Sequence, residues 1–161
     1  MTDADKPAVL FVCLGNICRS PTAEAVFRQR VASAGLNGQL EIDSAGTGDW
    51  HIGRAPDRRA AAAAARRGYV MDELRARQIT VDDFHRFDLI LCMDHSNFHD
   101  VSELAPARSR ARVVRFLEVL GEGEPEEVPD PYYGGEDGFD QVLDLVERAS
   151  ELWLEQLRAS L

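Results

Sequence analysis

VCLGNICRSPTAEAVF, residues 12–27, decides how the rest of the chain is read, because a thiol, a guanidinium and a helix start fall within one short stretch. Val9 to Val12 reads as a buried strand, and Gly15 and Asn16 interrupt it. Ser20-Pro21 reads as the opening of a helix, with Ser20 as side-chain cap and proline in the first turn. Strand, tight loop and helix N-terminus make a cradle for an anion. Backbone N–H groups from Leu14 through Gly15, Asn16, Ile17 and Cys18 to Arg19 would curl inward as a nest, with the positive end of the helix dipole behind them. Cys13 projects its sulfur into that cradle, and the planar fork of Arg19 can take two oxygens of the same anion. Dipole, nest and guanidinium all favour the thiolate, and a thiolate facing phosphorus is a nucleophile placed for in-line attack. A dianion fits there without a metal, so no cofactor is expected.

Outward from this stretch, strands and helices alternate. The predicted strands are 9–12, 39–44, the apolar run FDLILCM at 87–93, and 111–117. Helices are expected from Ser20 to about Ala34, from Asp57 to Gly68 through the alanine run, briefly around a Thr80–Asp83 capping box, and from Asp137 to Leu161. The last should bury Phe139, Val142, Leu143, Val146, Ala149 and Leu152. This pattern implies an α/β fold: one domain over residues 1–161, with an open parallel sheet of four strands in the order 2-1-3-4 and helices on both faces, as in flavodoxin-like proteins. Cys13 then falls at the switch point between strands 1 and 3, where such sheets bind ligands, and Asp94 follows the third strand at the same end. Cys92 reads as core, and His95 and His99 as solvent-facing, since no third metal ligand is near in sequence.

The chain has 161 residues, 45% hydrophobic and 29% charged, which suits a globular protein with a real core. A formal charge of -10 argues against nucleic acid or a membrane surface as partner. Three cysteines and no recognisable signal peptide point to a cytoplasmic protein.

Between the fourth strand and the last helix lies GEGEPEEVPDPYYGGEDG, residues 121–138, too rich in Gly, Pro and charge for a core element. Within it Asp130, held between Pro129 and Pro131, is a candidate general acid, with Glu126, Glu127 and partial burial expected to keep it protonated.

CLGNICRSP and DPYY, one near each end of the chain, together resemble the signatures of the low-molecular-weight protein tyrosine phosphatases. The resemblance implies hydrolysis of phosphotyrosine and small aryl phosphates through a phosphocysteine on Cys13, with Arg19 clamping the equatorial oxygens and Asp130 as acid. It implies that Ser20 stabilises the departing sulfur, that Asn16 holds the loop through Ser20 and Ser44, and that Asp94 orients Arg19. Trp50, Tyr132 and Tyr133 would wall the slot that receives the substrate ring. The partners implied are a phosphotyrosine-bearing protein and inorganic phosphate as product, with the enzyme a monomer or weak dimer. One departure is Leu74, in ELRARQI, where many members carry histidine; a hydrogen bond of the loop support is lost there.

Two rival readings use the same cradle. An arsenate reductase needs a relay of further cysteines, and only Cys92 lies outside the loop. A non-catalytic phosphotyrosine-binding module has no use for Cys13 and Asp130. Zinc held by Cys13 and Cys18 lacks a second ligand pair. Cys18 has a further possible use as a redox partner of Cys13, because a loop curled around one anion brings the two close.

Overall fold

The computed structural model describes residues 6–132 and 137–159, so Tyr133 lies outside the described residues. Four strands, β1 (Ala8–Cys13), β2 (Glu41–Gly46), β3 (Leu89–Cys92) and β4 (Arg112–Arg115), form one parallel sheet in the order β2-β1-β3-β4. β1 is central and buried along its whole length, which accounts for its unbroken apolar sequence. Its side chains alternate between two cores. Val9, Phe11 and Cys13 face helices α1 (Arg19–Ser33), α2 (Arg58–Arg66) and α5 (Asp137–Arg158), while Ala8, Leu10 and Val12 face α3 (Asp83–Arg86) and α4 (His95–Leu104). Phe11 anchors the larger core, with its ring 5.5 Å from those of both Phe27 and Phe116. No helix among the described residues is long and apolar enough to cross a membrane.

Helix boundaries follow local chemistry, with three corrections. α1 begins at Arg19 and its N-cap residue is Cys18, without a side-chain cap. Ser20 does not cap because its hydroxyl is engaged by Asn16 and Cys13 beneath the loop. The fourth strand stops at Arg115 and continues as a 3-10 turn over Phe116–Leu120, which places Phe116 and Leu117 in the core and lets Trp153 Nε1 donate to the Phe116 carbonyl at 2.7 Å. In α5 the buried face runs on through Trp153 and Leu154 and not through Leu152, which is exposed; Trp153 continues the seven-residue series of Phe139 and Val146 along the centre of that face. α2 behaves as its sequence predicts: Asp57 accepts from the amides of Arg59 and Ala60, and Gly68 turns the chain at φ 87°.

β2 also extends two residues beyond its expected end, and this positions the site. Gly46 is its last residue, hydrogen-bonded on its outer side to Arg77 and Ile79. A Cβ on Gly46 would lie 2.7 Å from the Leu14 carbonyl oxygen and 3.1 Å from the Gly15 carbonyl carbon, so the loop after β1 rests directly on a bare backbone. Gly46→Ala should therefore lift the loop and destabilise the protein by about 1–3 kcal/mol, the usual range for overpacking. Chemical denaturation measures this, and an unchanged midpoint would mean that the loop yields freely.

Candidate active site

The loop from Cys13 to Arg19 is built with its carbonyls turned outward. Cys13 O accepts from Thr47 N, Leu14 O from Gly48 N, Ile17 O from Asp57 N, and Cys18 O from both Thr22 N and Thr22 Oγ1. A trans peptide points its N–H opposite to its C=O, so the amides of Leu14, Gly15, Cys18 and Arg19 are directed to the concave side. Asn16 makes the curl possible. It is the one non-glycine residue with positive φ, 56°, among the described residues, a conformation its short side chain tolerates.

At the centre, Cys13 Sγ receives the Asn16 N–H at 3.3 Å and lies 3.0 Å from Ser20 Oγ. Ser20 Oγ accepts from Asn16 Nδ2 at 2.8 Å, which leaves its single proton for the sulfur; the alternative acceptor, Ala45 O, is more distant at 3.4 Å. Asn16 Nδ2 also donates to Ser44 Oγ at 3.0 Å, and its Oδ1 accepts from Arg77 N at 3.0 Å. Every polar atom of that amide is thus satisfied. Leu74 packs against the core, where its side chain has no polar atom to offer the loop. Ser44 donates to Glu24 Oε1 at 2.7 Å, and Glu24 pairs in turn with Arg28 at 2.9 Å. Burial pushes the Glu24 carboxyl above its ordinary value, opposed by Ser44 and Arg28.

Arg19 is 3% exposed. Its Nη1 donates to Asp94 Oδ2 at 2.7 Å and to the Val128 carbonyl at 3.0 Å. Its hydrogen bonds among the described residues all leave from Nη1, so Nε and Nη2 remain for an anion. Burial opposes the guanidinium charge, but Cys13, Asp94 and Asp130 outweigh it and hold the pKa above the ordinary arginine value. Asp94 serves two ends, because its other oxygen caps α4 by accepting from Asn97 N at 2.7 Å.

Asp130 lies across the cavity, with Oδ2 3.7 Å from Arg19 Nη2 and Oδ1 accepting the Tyr132 amide at 3.0 Å. Glu126 and Glu127, expected to act on it, turn elsewhere. Glu127 accepts the His95 amide at the start of α4, and Glu126 pairs with Arg115 at 3.3 Å. The charge that faces Asp130 is Arg19.

These groups line one cavity of about 380 Å³, together with Leu14, Gly15, Ile17, Cys18, Trp50, His51 and Tyr132. Trp50 is 65% exposed, with its ring folded over Gly48 so closely that a Cβ there would sit 1.9 Å from Cζ3. Cys18 is a free thiol, as are Cys13 and Cys92; burial pushes the Cys18 thiol up, and Asp57, Cys13 and Asp130 add to the effect. His95 and His99 are exposed and face Glu126 and Glu103. Among the described residues no three His, Cys, Asp or Glu side chains cluster as a metal site.

Three contributors were not singled out in the sequence. His51 packs on Gly15, where a Cβ would meet its Cδ2 at 2.9 Å, and its ring centroid is 6.4 Å from that of Tyr132. Arg59 donates to the Tyr132 carbonyl at 2.9 Å and pairs with Asp57 at 3.1 Å, tying the segment that carries Asp130 to α2. Glu24 closes the network beneath Asn16. Of the three, only Glu24 left a signal: a carboxylate at the helical spacing from both Ser20 and Arg28.

Comparison with known proteins shows the family. The family model described as low molecular weight phosphotyrosine protein phosphatase matches residues 8–161. A Schizosaccharomyces pombe low molecular weight phosphotyrosine protein phosphatase is 49% identical over 141 residues, covering 86% of this chain and 90% of the relative. A low molecular weight protein-tyrosine-phosphatase of Streptomyces coelicolor is 48% identical over 145 residues, 88% of each chain. The crystal structure of a protein tyrosine phosphatase from Entamoeba histolytica superposes with a TM-score of 0.91 at 37% identity, covering 96% of this chain and 99% of that one. With its anion loop, its buried arginine and its DPYY aspartate arranged as described, this chain belongs to the low molecular weight phosphotyrosine protein phosphatase family.

Proposed function

We propose that the protein hydrolyses phosphotyrosine in proteins, and small aryl phosphates, by forming and then breaking a phosphocysteine at Cys13. The observation that carries this reading is the meeting of the Cys13 sulfur, the Arg19 guanidinium and the Asp130 carboxyl in one cavity walled by Trp50 and Tyr132. The phosphoryl group sits on the loop amides with two oxygens on Nε and Nη2 of Arg19, and the sulfur attacks phosphorus opposite the aryl oxygen. As the P–O bond breaks, Asp130 gives its proton to the leaving phenolate. In the second step Asp130 takes a proton from water, the water oxygen bonds to phosphorus, and the sulfur leaves as thiolate, stabilised by Ser20 Oγ and the Asn16 amide. The product is inorganic phosphate. Trp50 and Tyr132 receive the ring, which the shorter stem of phosphoserine does not reach. Three free cysteines suit a reducing, cytoplasmic location.

Purified protein should turn over p-nitrophenyl phosphate without added metal, and phosphotyrosine far better than phosphoserine. Cys13→Ser should abolish both activities while circular dichroism stays unchanged; substantial turnover by that folded variant would refute the phosphocysteine.

Asp130→Asn should slow phosphotyrosine hydrolysis by about 10²- to 10⁴-fold, the ordinary worth of general acid-base help. The loss on p-nitrophenyl phosphate should be smaller, because its leaving group needs less protonation. Equal losses on both substrates would assign Asp130 a structural role instead.

Cys18 shares the cavity with Cys13 and is a second thiol for redox protection. Peroxide oxidises the Cys13 thiolate to sulfenic acid; attack by the Cys18 sulfur then forms a disulfide and releases water. After peroxide and then dithiol, the wild type should recover activity, whereas Cys18→Ser should accumulate sulfinic or sulfonic acid at Cys13 by mass spectrometry. Equal recovery would leave Cys18 as packing.

A further inference from the structure

The formal charge is -10, yet the stretch from Arg54 to Arg67 holds five arginines and a single carboxylate, Asp57. Two of the five are engaged within the protein. Arg59 binds Asp57 and the Tyr132 carbonyl, and Arg67 reaches Asp140, Asp144 and Glu147 on α5. Arg58 and Arg66 are exposed and make no hydrogen bond or ion pair among the described residues. They stand eight residues apart on α2, about 12 Å along the axis at 1.5 Å per residue.

Ala62 lies midway between them on the same side of the helix. Its methyl group leaves a hollow of about 200 Å³ lined by Arg58, Arg59, Ala62, Arg66 and Phe139. Arg59 lines this hollow and links it to the catalytic cavity through Tyr132: its guanidinium lies 4.9 Å from the centre of the Phe139 ring and 5.6 Å from that of the Tyr132 ring. Tyr132 in turn lines the cavity that holds Cys13. The two hollows therefore flank one Tyr132–Arg59 pair.

We propose that the Arg58–Ala62–Arg66 cleft is a second binding site, which takes a carboxylate side chain of the substrate protein near its phosphotyrosine. This rests on the phosphotyrosine reading above and specifies the substrates it favours. Elsewhere the negative surface repels an acidic segment, so the cleft is a local attraction that orients the incoming chain. Two guanidiniums on one side of a helix offer paired donors to a carboxylate, and Phe139 supplies an apolar floor for the methylene stem of a glutamate. Because the contacts are partly exposed, they should support a preference of about 3- to 10-fold, and salt should weaken it.

The test uses two phosphotyrosine peptides that differ only in carrying glutamate or glutamine at two or three residues on either side of the phosphotyrosine. The wild type should favour the glutamate peptide by about 3- to 10-fold in kcat/KM, through KM, at low salt. A combined Arg58→Gln and Arg66→Gln variant should lose the preference with p-nitrophenyl phosphate turnover unchanged. Ala62→Glu, which places a carboxylate between the two arginines while keeping both, should lose it too. Equal kcat/KM for the two peptides with the wild type, or a preference that survives in both variants, overturns the proposal. Failure of the phosphatase reading looks different: neither peptide nor p-nitrophenyl phosphate would be turned over.

Discussion

Arg19 must keep its charge with almost no access to water, and the architecture around the site follows from that demand. An unpaired buried ion costs several kcal/mol, so the guanidinium needs a partner held in fixed geometry. Asp94 supplies it from the end of β3, and the Val128 carbonyl completes the grip. Each partner is also committed elsewhere. Asp94 caps α4, and Val128 N donates to the Met93 carbonyl at 2.8 Å, two residues before Asp130. One side chain thus joins three pieces of chain that meet only in the fold: the loop after β1, the end of the third strand and the segment that carries Asp130. The parallel sheet delivers all three to the same edge.

An acidic protein that binds a dianion also has to reverse its own field over a few ångströms. The loop does this with groups carrying no net charge, by turning its carbonyls into hydrogen bonds with Thr47, Gly48, Asp57 and Thr22 and so presenting amides inward. Those amides are oriented before any ligand arrives, and little reorganisation remains for the moment of reaction. Beneath the loop, Ser20, Asn16, Ser44, Glu24 and Arg28 form a continuous relay of hydrogen bonds that passes through the Glu24 carboxylate to the Arg28 guanidinium. A fully satisfied network of this kind fixes one arrangement of the sulfur and its donors.

How much of this is legible in the sequence depends on how local the cause is. The anion loop, the order of the strands and the alanine-rich helix rest on short-range patterns: an apolar run, a helix cap at Asp57, a glycine at a helix end. Asp130 stands out in the sequence because Pro129 and Pro131 isolate its carboxylate, and the fold brings it into the cavity of Cys13. Ser20 shows where local propensity stops. Serine before proline is a good cap by propensity, but the Cys13 sulfur 3.0 Å away competes for the same hydroxyl. Leu152 illustrates the same limit, since an apolar residue near the expected stripe was displaced by Trp153, whose indole finds a carbonyl on a different element. Arg59 and His51 left no trace, as their meaning comes from contacts across 73 residues and from packing on a glycine. The fate of Glu126 and Glu127 is similar, because sequence neighbours of Asp130 found partners in α4 and β4 that only the fold brings near.

Gly48 does not line the cavity, yet the Trp50 ring stands as it does because Gly48 has no side chain. The Trp50 ring occupies the volume where a Cβ would be, so the backbone two residues earlier sets the angle of the slot. The placement of the Trp50 ring is therefore divided between a visible residue and a hidden one. A side chain at the smaller position would move the ring and change the width of the cavity, with Cys13, Arg19 and Asp130 untouched. A lineage could in this way exchange one family of phosphorylated clients for another without altering a single atom that takes part in the reaction.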